Sequence, residues 1–213
     1  MPKSKKIVAS LLNKYLSREF IATRSNGSSQ FTYLEGHVAI NLANKIFGFD
    51  GWSTKVKKIK KEFMDSKSDG KFSVGFSCIC KVIVYVIDNN KTVKISKEDV
   101  GFGSCENMKN KLNAIENARK EAVTDSIKRC LRQFGTALGN CCYDKKYNIF
   151  LKTNSQKTHK VYGKLLKMED LLSEEKEISS DNNEAHCNYT KPKHKTESCN
   201  TDSYLGDFDT QNG

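Results

Sequence analysis

Apolar and polar residues near the start of the chain repeat with helical spacing. Apolar positions over 7–16 recur three to five residues apart with lysines on the other face, which predicts an amphipathic helix. The run 38–47 predicts a second helix that ends at Gly48. Between them, the polar stretch RSNGSS at 24–29 predicts a loop.

Residues 52–103 change to a period of two, which is typical of strands. Asp69-Gly70 predicts a hairpin turn. The run 71–87 after it alternates cleanly and predicts one long strand with a single apolar face. A turn at 88–90 leads into a third strand over 92–102. We therefore expect an antiparallel β-meander.

Residues 112–138 contain no proline and carry apolar side chains on more than one face. This pattern predicts a long helix sandwiched between layers or subunits, ending at Gly139-Asn140. The predicted fold class is α+β, with the meander packed on the long helix. Beyond residue 165 apolar residues become sparse, so we expect a folded domain at 1–165 and a disordered tail at 166–213.

Charge is distributed unevenly along the chain. The net charge of the 213 residues is +11, but residues 168–213 carry −7 and residues 1–167 carry +18. A body this basic indicates a nucleic acid, an acidic membrane surface or an acidic protein as its partner. The acidic tail could repel DNA, bind the body or recruit another protein.

Several protein classes are not expected. The chain has neither a membrane-spanning apolar run nor the apolar stretch of a secretory signal, so we expect a soluble protein inside the cell. The eight cysteines lack CxxC spacing, and we expect buried thiols without disulfides or bound metal. The residues His186, Cys187, His194 and Cys199 fit no standard zinc spacing, and we reject them as a metal site.

Catalytic motifs are also missing. The sequence contains no phosphate-binding GxxxxGK[ST] loop, no HExxH and no GxSxG. The GFGS segment at 101–104 lacks the third glycine of a dinucleotide-binding turn. We therefore expect a binding protein without a cofactor and not an enzyme.

Basic and aromatic residues suggest the kind of binding surface. Lys128, Arg129 and Arg132 cluster on the predicted long helix, and lysines crowd the first strand of the meander. Candidate stacking residues at the ends of elements are Arg24, Tyr33, Phe47 and Phe102. Cations with aromatic faces are typical of single-strand binders. The alternative is a solvated basic face whose aromatic residues belong to the core.

Short sequence blocks then identify a family resemblance. The blocks, in chain order, are YLEGH (33–37), INLAN (40–44), FGFDGW (47–52), EDVGFG (98–103), ARKEAVTD (118–125), KR (128–129) and FGTALGN (134–140). Over residues 7–152 the chain resembles the Rad52 (Rad22) family of single-strand annealing proteins.

The resemblance implies a closed ring of subunits that binds single-stranded DNA and anneals complementary strands without ATP. It implies homologous recombination and double-strand break repair in the nucleus, with double-stranded DNA as a further ligand. By position, an inner DNA groove would contain Arg24, Tyr33, Lys128, Arg129 and Arg132. An outer DNA site would contain Phe47, Lys71, Lys109 and Lys145.

Some positions depart from the family pattern. Val38 and Ile149 stand where relatives carry basic residues, and Lys146 or Lys152 could replace the latter in the outer site. Family members that bind a recombinase or a single-strand-binding protein do so through a longer C-terminal part. We therefore do not expect this chain to load a recombinase. Two alternatives remain open: an accessory paralogue acting beside a full-length annealing protein, and a basic RNA-binding or chaperone module.

Overall fold

The computed structural model describes residues 2–27, 29–153 and 162–171. It is an α+β structure with antiparallel sheets, as predicted. The helices are α1 (Lys5–Leu12), α2 (Gly36–Phe47), α3 (Lys111–Arg132) and α4 (Lys145–Thr153). The strands are β1 (Ile21–Asn26), β2 (Ser29–Leu34), β3 (Trp52–Ser66), β4 (Phe72–Asp88) and β5 (Lys91–Met108).

The three long strands form one antiparallel sheet in the order β3-β4-β5. In β4, every second residue from Val74 to Val86 is buried, so the predicted single apolar face is confirmed. A strand of 17 residues is long, and β4 is hydrogen-bonded to a partner on each side. The buried face includes Cys78 and Cys80, which are free thiols as expected.

Helix α3 lies against β5 at very short range, and two glycines make this possible. A Cβ atom on Gly101 would lie 2.1 Å from the backbone nitrogen of Ser126. A Cβ on Gly103 would lie 2.3 Å from the carbonyl oxygen of Ala118. The GFG segment therefore serves helix packing, and the residue between the glycines, Phe102, remains 56% exposed.

Several predicted boundaries are wrong, since α1 ends at Leu12 before the predicted residue 16, and β5 continues to Met108 beyond the predicted residue 102. Most of the predicted loop 24–29 belongs to the β1–β2 hairpin, since pairing with β2 satisfies the backbone of Arg24 and Ser25. The long helix ends at Arg132, before the predicted residue 138. Gly135 follows it in an extended conformation and packs on Leu12, whose carbonyl oxygen leaves no room for a Cβ. The predicted end of the second helix at Gly48 is confirmed.

The segment 162–171 packs on the region around α1. Leu166 and Leu171 are buried, and the backbone nitrogen of Leu166 donates a hydrogen bond of 2.7 Å to the carbonyl of Tyr15. This segment includes the start of the predicted tail. Residues 172–213 lie outside the described residues, so the domain boundary at 165 stays a prediction.

Candidate nucleic-acid interface

A groove of about 820 Å³ runs between the β1–β2 hairpin and the C-terminal half of α3. All five residues predicted for the inner DNA groove line it: Arg24, Tyr33, Lys128, Arg129 and Arg132. Lys120 and Lys152 add two further cations, and Glu121 and Asp125 are the acidic residues in its lining. The structure thus brings residues from three separate elements to one basic surface.

Regular geometry explains how these residues meet. Lys128 and Arg132 are four residues apart on α3 and therefore lie on one face of the helix. In the hairpin, Arg24 pairs with Phe31 and Ala22 pairs with Tyr33. Residues opposite each other, or two apart on one strand, point to the same side of the sheet. Arg24, Phe31 and Tyr33 therefore face the groove together.

Lys128 is held in place by the hairpin. Its Nζ lies 5.8 Å from the centre of the Tyr33 ring and donates a hydrogen bond of 3.4 Å to the carbonyl of Leu34. A cation near the face of an aromatic ring is attracted by the electron density of that ring. Tyr33 thus positions Lys128, in addition to offering its own ring to a ligand.

Arg129 is paired within the groove. Its Nε donates a hydrogen bond of 2.7 Å to Asp125, which also accepts the backbone N–H of Phe102 at 3.1 Å. The hydrogen bond to Asp125 raises the pKa of Arg129. One turn earlier, Glu121 accepts the backbone N–H of Ser104 at 2.8 Å. The two carboxylates therefore satisfy N–H groups on the open edge of β5, and one of them orients a groove arginine.

Arg132 stacks on an aromatic ring. Its guanidinium carbon lies 4.6 Å from the centre of the Tyr143 ring, and its Nη2 lies 4.0 Å from a carboxylate oxygen of Asp99. Tyr143 is 66% exposed. The guanidinium and the ring together form a flat surface of the kind on which bases stack.

Sequence reasoning missed part of this lining. Phe31 and Tyr143 were not identified, and Phe102 was considered but not assigned to a site, although all three are exposed groove residues. The position of Phe102 between two strand glycines was the available signal. Lys152, offered as a substitute in the outer site, lines the inner groove instead, and Ile149 is exposed.

The predicted outer site is brought together only in part. Phe72 pairs with Met108, so Lys71 and Lys109, the next residues outward, lie beside each other at the hairpin end of the sheet. The Nζ of Lys71 pairs with Asp69 at 2.7 Å. Lys145 begins α4, close to Tyr143 and thus near the opposite end of α3. Within one chain, Lys145 is therefore separate from the other two lysines.

Phe47 does not belong to a DNA-binding surface in this structure. Its side chain is 1% exposed, and its ring centre lies 5.7 Å from that of Phe134 in an edge-on contact. The last turn of α2 points this ring into the core, which agrees with the alternative considered from the sequence. We therefore remove Phe47 from the predicted outer site.

The described part of the chain contains neither a membrane-spanning helix nor a cluster of metal ligands. None of its helices has the length and apolar character that a membrane crossing needs. Residues 2–27, 29–153 and 162–171 contain no group of three or more potential metal ligands. The rejected cluster of His186, Cys187, His194 and Cys199 lies outside the described residues.

Sequence comparisons relate this chain to named repair proteins. It is 51% identical over 137 residues to the DNA repair and recombination protein RAD52 of Candida glabrata, a match covering 64% of this chain and 26% of the relative. It is 47% identical to RAD52 of Saccharomyces cerevisiae over 64% of this chain and 27% of the relative. It is 43% identical to the DNA repair and recombination protein rad22 of Schizosaccharomyces pombe, over 65% of this chain and 28% of the relative. The chain thus matches only about a quarter of the length of these relatives.

A family model extends the match to most of the folded region. The model of the Rad52/22 family double-strand break repair proteins matches residues 4–161. This range includes every residue of the groove and of the long-stranded sheet. The chain belongs to the Rad52/22 family of double-strand break repair proteins.

Proposed function

We propose that this protein binds single-stranded DNA in the groove and anneals complementary strands without ATP, in homologous recombination and double-strand break repair. The observation that carries the proposal is the convergence of Arg24, Lys128 and Arg132 with exposed aromatic rings in one groove. Cations and stacking surfaces together are what a single strand requires. The names of the relatives support a role in DNA repair and recombination, and this role makes the nucleus the expected compartment.

The annealing step follows from where the charges lie. If the cations hold the phosphates against the protein, the edges of the bases face outward, and a complementary strand can pair without opening the complex. Holding the strand extended also removes part of the entropy that pairing would otherwise cost. No chemical step or cofactor is needed.

A ring or another oligomer would complete the outer site. Lys109 precedes α3, and Lys145 lies near the other end of this helix of 22 residues, which is about 33 Å long. One strand of DNA can therefore contact Lys145 together with Lys71 and Lys109 most directly when Lys145 comes from a neighbouring subunit. In this proposal residues 1–165 bind DNA and associate, and residues 166–213 form an acidic appendage.

An annealing assay tests the proposal. Complementary labelled oligonucleotides are mixed without ATP, with the protein or with the Arg24→Ala/Lys128→Ala variant. Arg18→Ala/Lys167→Ala, which removes two exposed cations that do not line the groove, is the matched control. We expect the protein and the control to accelerate pairing and the groove variant to lose most of this effect. Pairing at the spontaneous rate with the unaltered protein would disprove annealing.

The same strands made of RNA separate annealing of DNA from the alternative of an RNA-binding module. Equal or faster annealing of RNA would favour that alternative. Light scattering on the same samples measures the assembly, and a monomer would contradict the ring.

A further inference from the structure

The C-terminal part of the chain combines carboxylates and aromatic rings in one short segment. Residues 172–213, which lie outside the described residues, contain nine acidic and four basic residues. Residues 202–209, with the sequence DSYLGDFD, contain three of these carboxylates, two aromatic rings and no cation. We name this stretch the tail segment. A DNA single strand also presents negative charges beside flat rings, so the tail segment resembles a single strand in its chemistry.

The groove carries the complementary groups. Six cations and two carboxylates line it, a net charge of +4. The lining also includes the exposed rings of Phe31, Phe102 and Tyr143. Aromatic rings pack favourably on one another, so these three can receive Tyr204 and Phe208 of the tail segment. The groove can therefore accept the tail segment through the groups that would hold DNA.

The six groove cations fall into two sets. Three of them pair with carboxylates: Arg129 with Asp125, Arg132 with Asp99, and Lys120 with Glu116. The other three, Arg24, Lys128 and Lys152, have no carboxylate partner within residues 2–27, 29–153 and 162–171. The polar partner of Lys128 is the uncharged carbonyl of Leu34. These three cations therefore keep their full attraction for an anion.

The described chain ends close to the strand that leads into the groove. The backbone nitrogen of Met168 donates a hydrogen bond of 3.1 Å to Glu19. Glu19 lies two residues before β1, which carries Arg24, and five residue steps from Glu19 to Arg24 cover at most about 18 Å. Thirty residues separate Leu171 from the tail segment, and a chain of that length spans up to about 100 Å. The tail segment can therefore reach every part of the groove.

We propose that the tail segment occupies the groove and competes there with single-stranded DNA. The inference rests on the proposed function of the groove and adds a regulator of it. Asp202, Asp207 and Asp209 supply one carboxylate for each groove cation that has none in the described structure. A long DNA strand repeats phosphate and base at every nucleotide, so it displaces a segment that carries only three charges.

The attachment of the tail segment to the chain makes a weak contact effective. A tethered ligand acts at an effective concentration of about 1 mM when its linker can span the two sites. With a Kd of about 0.2 mM for the groove, the tail segment would lower the apparent affinity for a single strand about sixfold. The expected effect is thus a moderate one that removes weakly bound ligands first.

Simple repulsion would be a different explanation for any effect of the tail. Negative charge anywhere on a protein lowers its attraction for DNA through the long-range field. Repulsion depends only on the number of charges, whereas docking also depends on the rings and on the groove cations. This difference makes the two explanations separable.

Two variants of the full chain use this difference. One removes the carboxylates of the tail segment, Asp202→Asn/Asp207→Asn/Asp209→Asn. The other removes its rings and no charge, Tyr204→Ala/Phe208→Ala. The matched control removes three charges from exposed positions that do not line the groove, Asp65→Asn/Glu106→Gln/Glu169→Gln.

The affinity of each protein for a labelled oligothymidine is measured by fluorescence anisotropy at low and high salt. We expect the carboxylate variant to bind at least about threefold more tightly than the control at low salt. The ring variant should also bind more tightly than the unaltered protein. The gain of the carboxylate variant should shrink at high salt, because salt screens the attraction between the tail segment and the groove.

A second measurement detects docking without DNA. A labelled peptide of residues 201–210 is titrated with the carboxylate variant, whose own tail segment no longer competes. We expect saturable binding. Adding Arg24→Ala/Lys128→Ala to the variant should abolish it, and adding Arg18→Ala/Lys167→Ala should not.

The inference is overturned by equal oligothymidine affinities of the carboxylate variant and the control, since repulsion would then explain any gain. Peptide binding that is absent, or that is unaffected by Arg24→Ala/Lys128→Ala, would overturn it as well. A gain for the carboxylate variant alone would overturn the contacts of the rings. Peptide binding in the groove of a protein that does not anneal single strands would sustain the docking and contradict the proposed function, so the two failures are distinguishable.

Discussion

Asp125 and Arg129 lie one helical turn apart and are joined by a hydrogen bond of 2.7 Å from the arginine Nε to the carboxylate. The carboxylate also accepts the backbone N–H of Phe102. Asp125 therefore orients one groove cation and fixes the strand that presents a groove aromatic ring. The same negative charge opposes the binding of phosphates.

The Asp125→Asn variant should bind single-stranded DNA severalfold more tightly at low salt, because it removes an anion from the groove and keeps an acceptor for Phe102. Folding stability should fall by no more than about 0.5 kcal/mol, since the pair is partly exposed. Titration by fluorescence anisotropy measures the affinity. Glu106→Gln, on an exposed residue outside the groove, is the control, and weaker binding by Asp125→Asn would contradict the prediction.

Arg24→Ala and Lys128→Ala should each weaken single-strand binding and reduce the log–log salt slope by about 0.7, because each removes one phosphate contact with its released counterion. Affinities measured over a range of salt concentrations give the slope. Arg18→Ala, outside the groove, should leave it unchanged. Unaltered slopes in both groove variants would remove these residues from the site.

Phe102→Ala should lower single-strand affinity with little change in the salt slope. Stacking of a base on an aromatic ring contributes about 1–3 kcal/mol, so a loss of at least about fivefold is expected. Phe102→Tyr keeps the ring and should restore most of the affinity. Because the side chain is 56% exposed, the melting temperature should be nearly unaltered, and equal affinities for the alanine and tyrosine variants would argue against stacking.

Gly101→Ala should destabilise the fold because the new Cβ would overlap the backbone of α3 at Ser126. Overpacking of this kind costs about 1–3 kcal/mol, and thermal unfolding should show a lower melting temperature. Ser96→Ala, on the same strand without such a contact, should melt close to the unaltered protein. Equal melting temperatures for the two variants would contradict the close packing of α3 against β5 at Gly101.

The elements of this fold were largely predictable from the chain because each has its own period. The alternation along β4 depends on one side of the strand facing the core, and the hairpin turn depends on Asp69-Gly70. The end of α3 was not predictable in this way. Gly135, which follows α3, packs on Leu12, more than a hundred residues away in sequence, and such a contact leaves no local pattern in the chain.

The groove shows the same difference between what the sequence predicts and what the structure decides. The resemblance to the family selected Arg24, Tyr33 and the α3 cations, and the structure places them together. It also separates Lys145 from Lys71 and buries Phe47. A side chain at a helix end looks the same in sequence whether it points outward or inward, because its exposure is decided by what packs beside it.

The sequence by itself determined the local elements, the basic body and the family, because periodicity, charge and short motifs are properties of neighbouring residues. Only the tertiary structure decided which cations share a surface, and which of them pair with carboxylates such as Asp125. Contacts between distant segments set these features, and register across three strands cannot be read from any one of them.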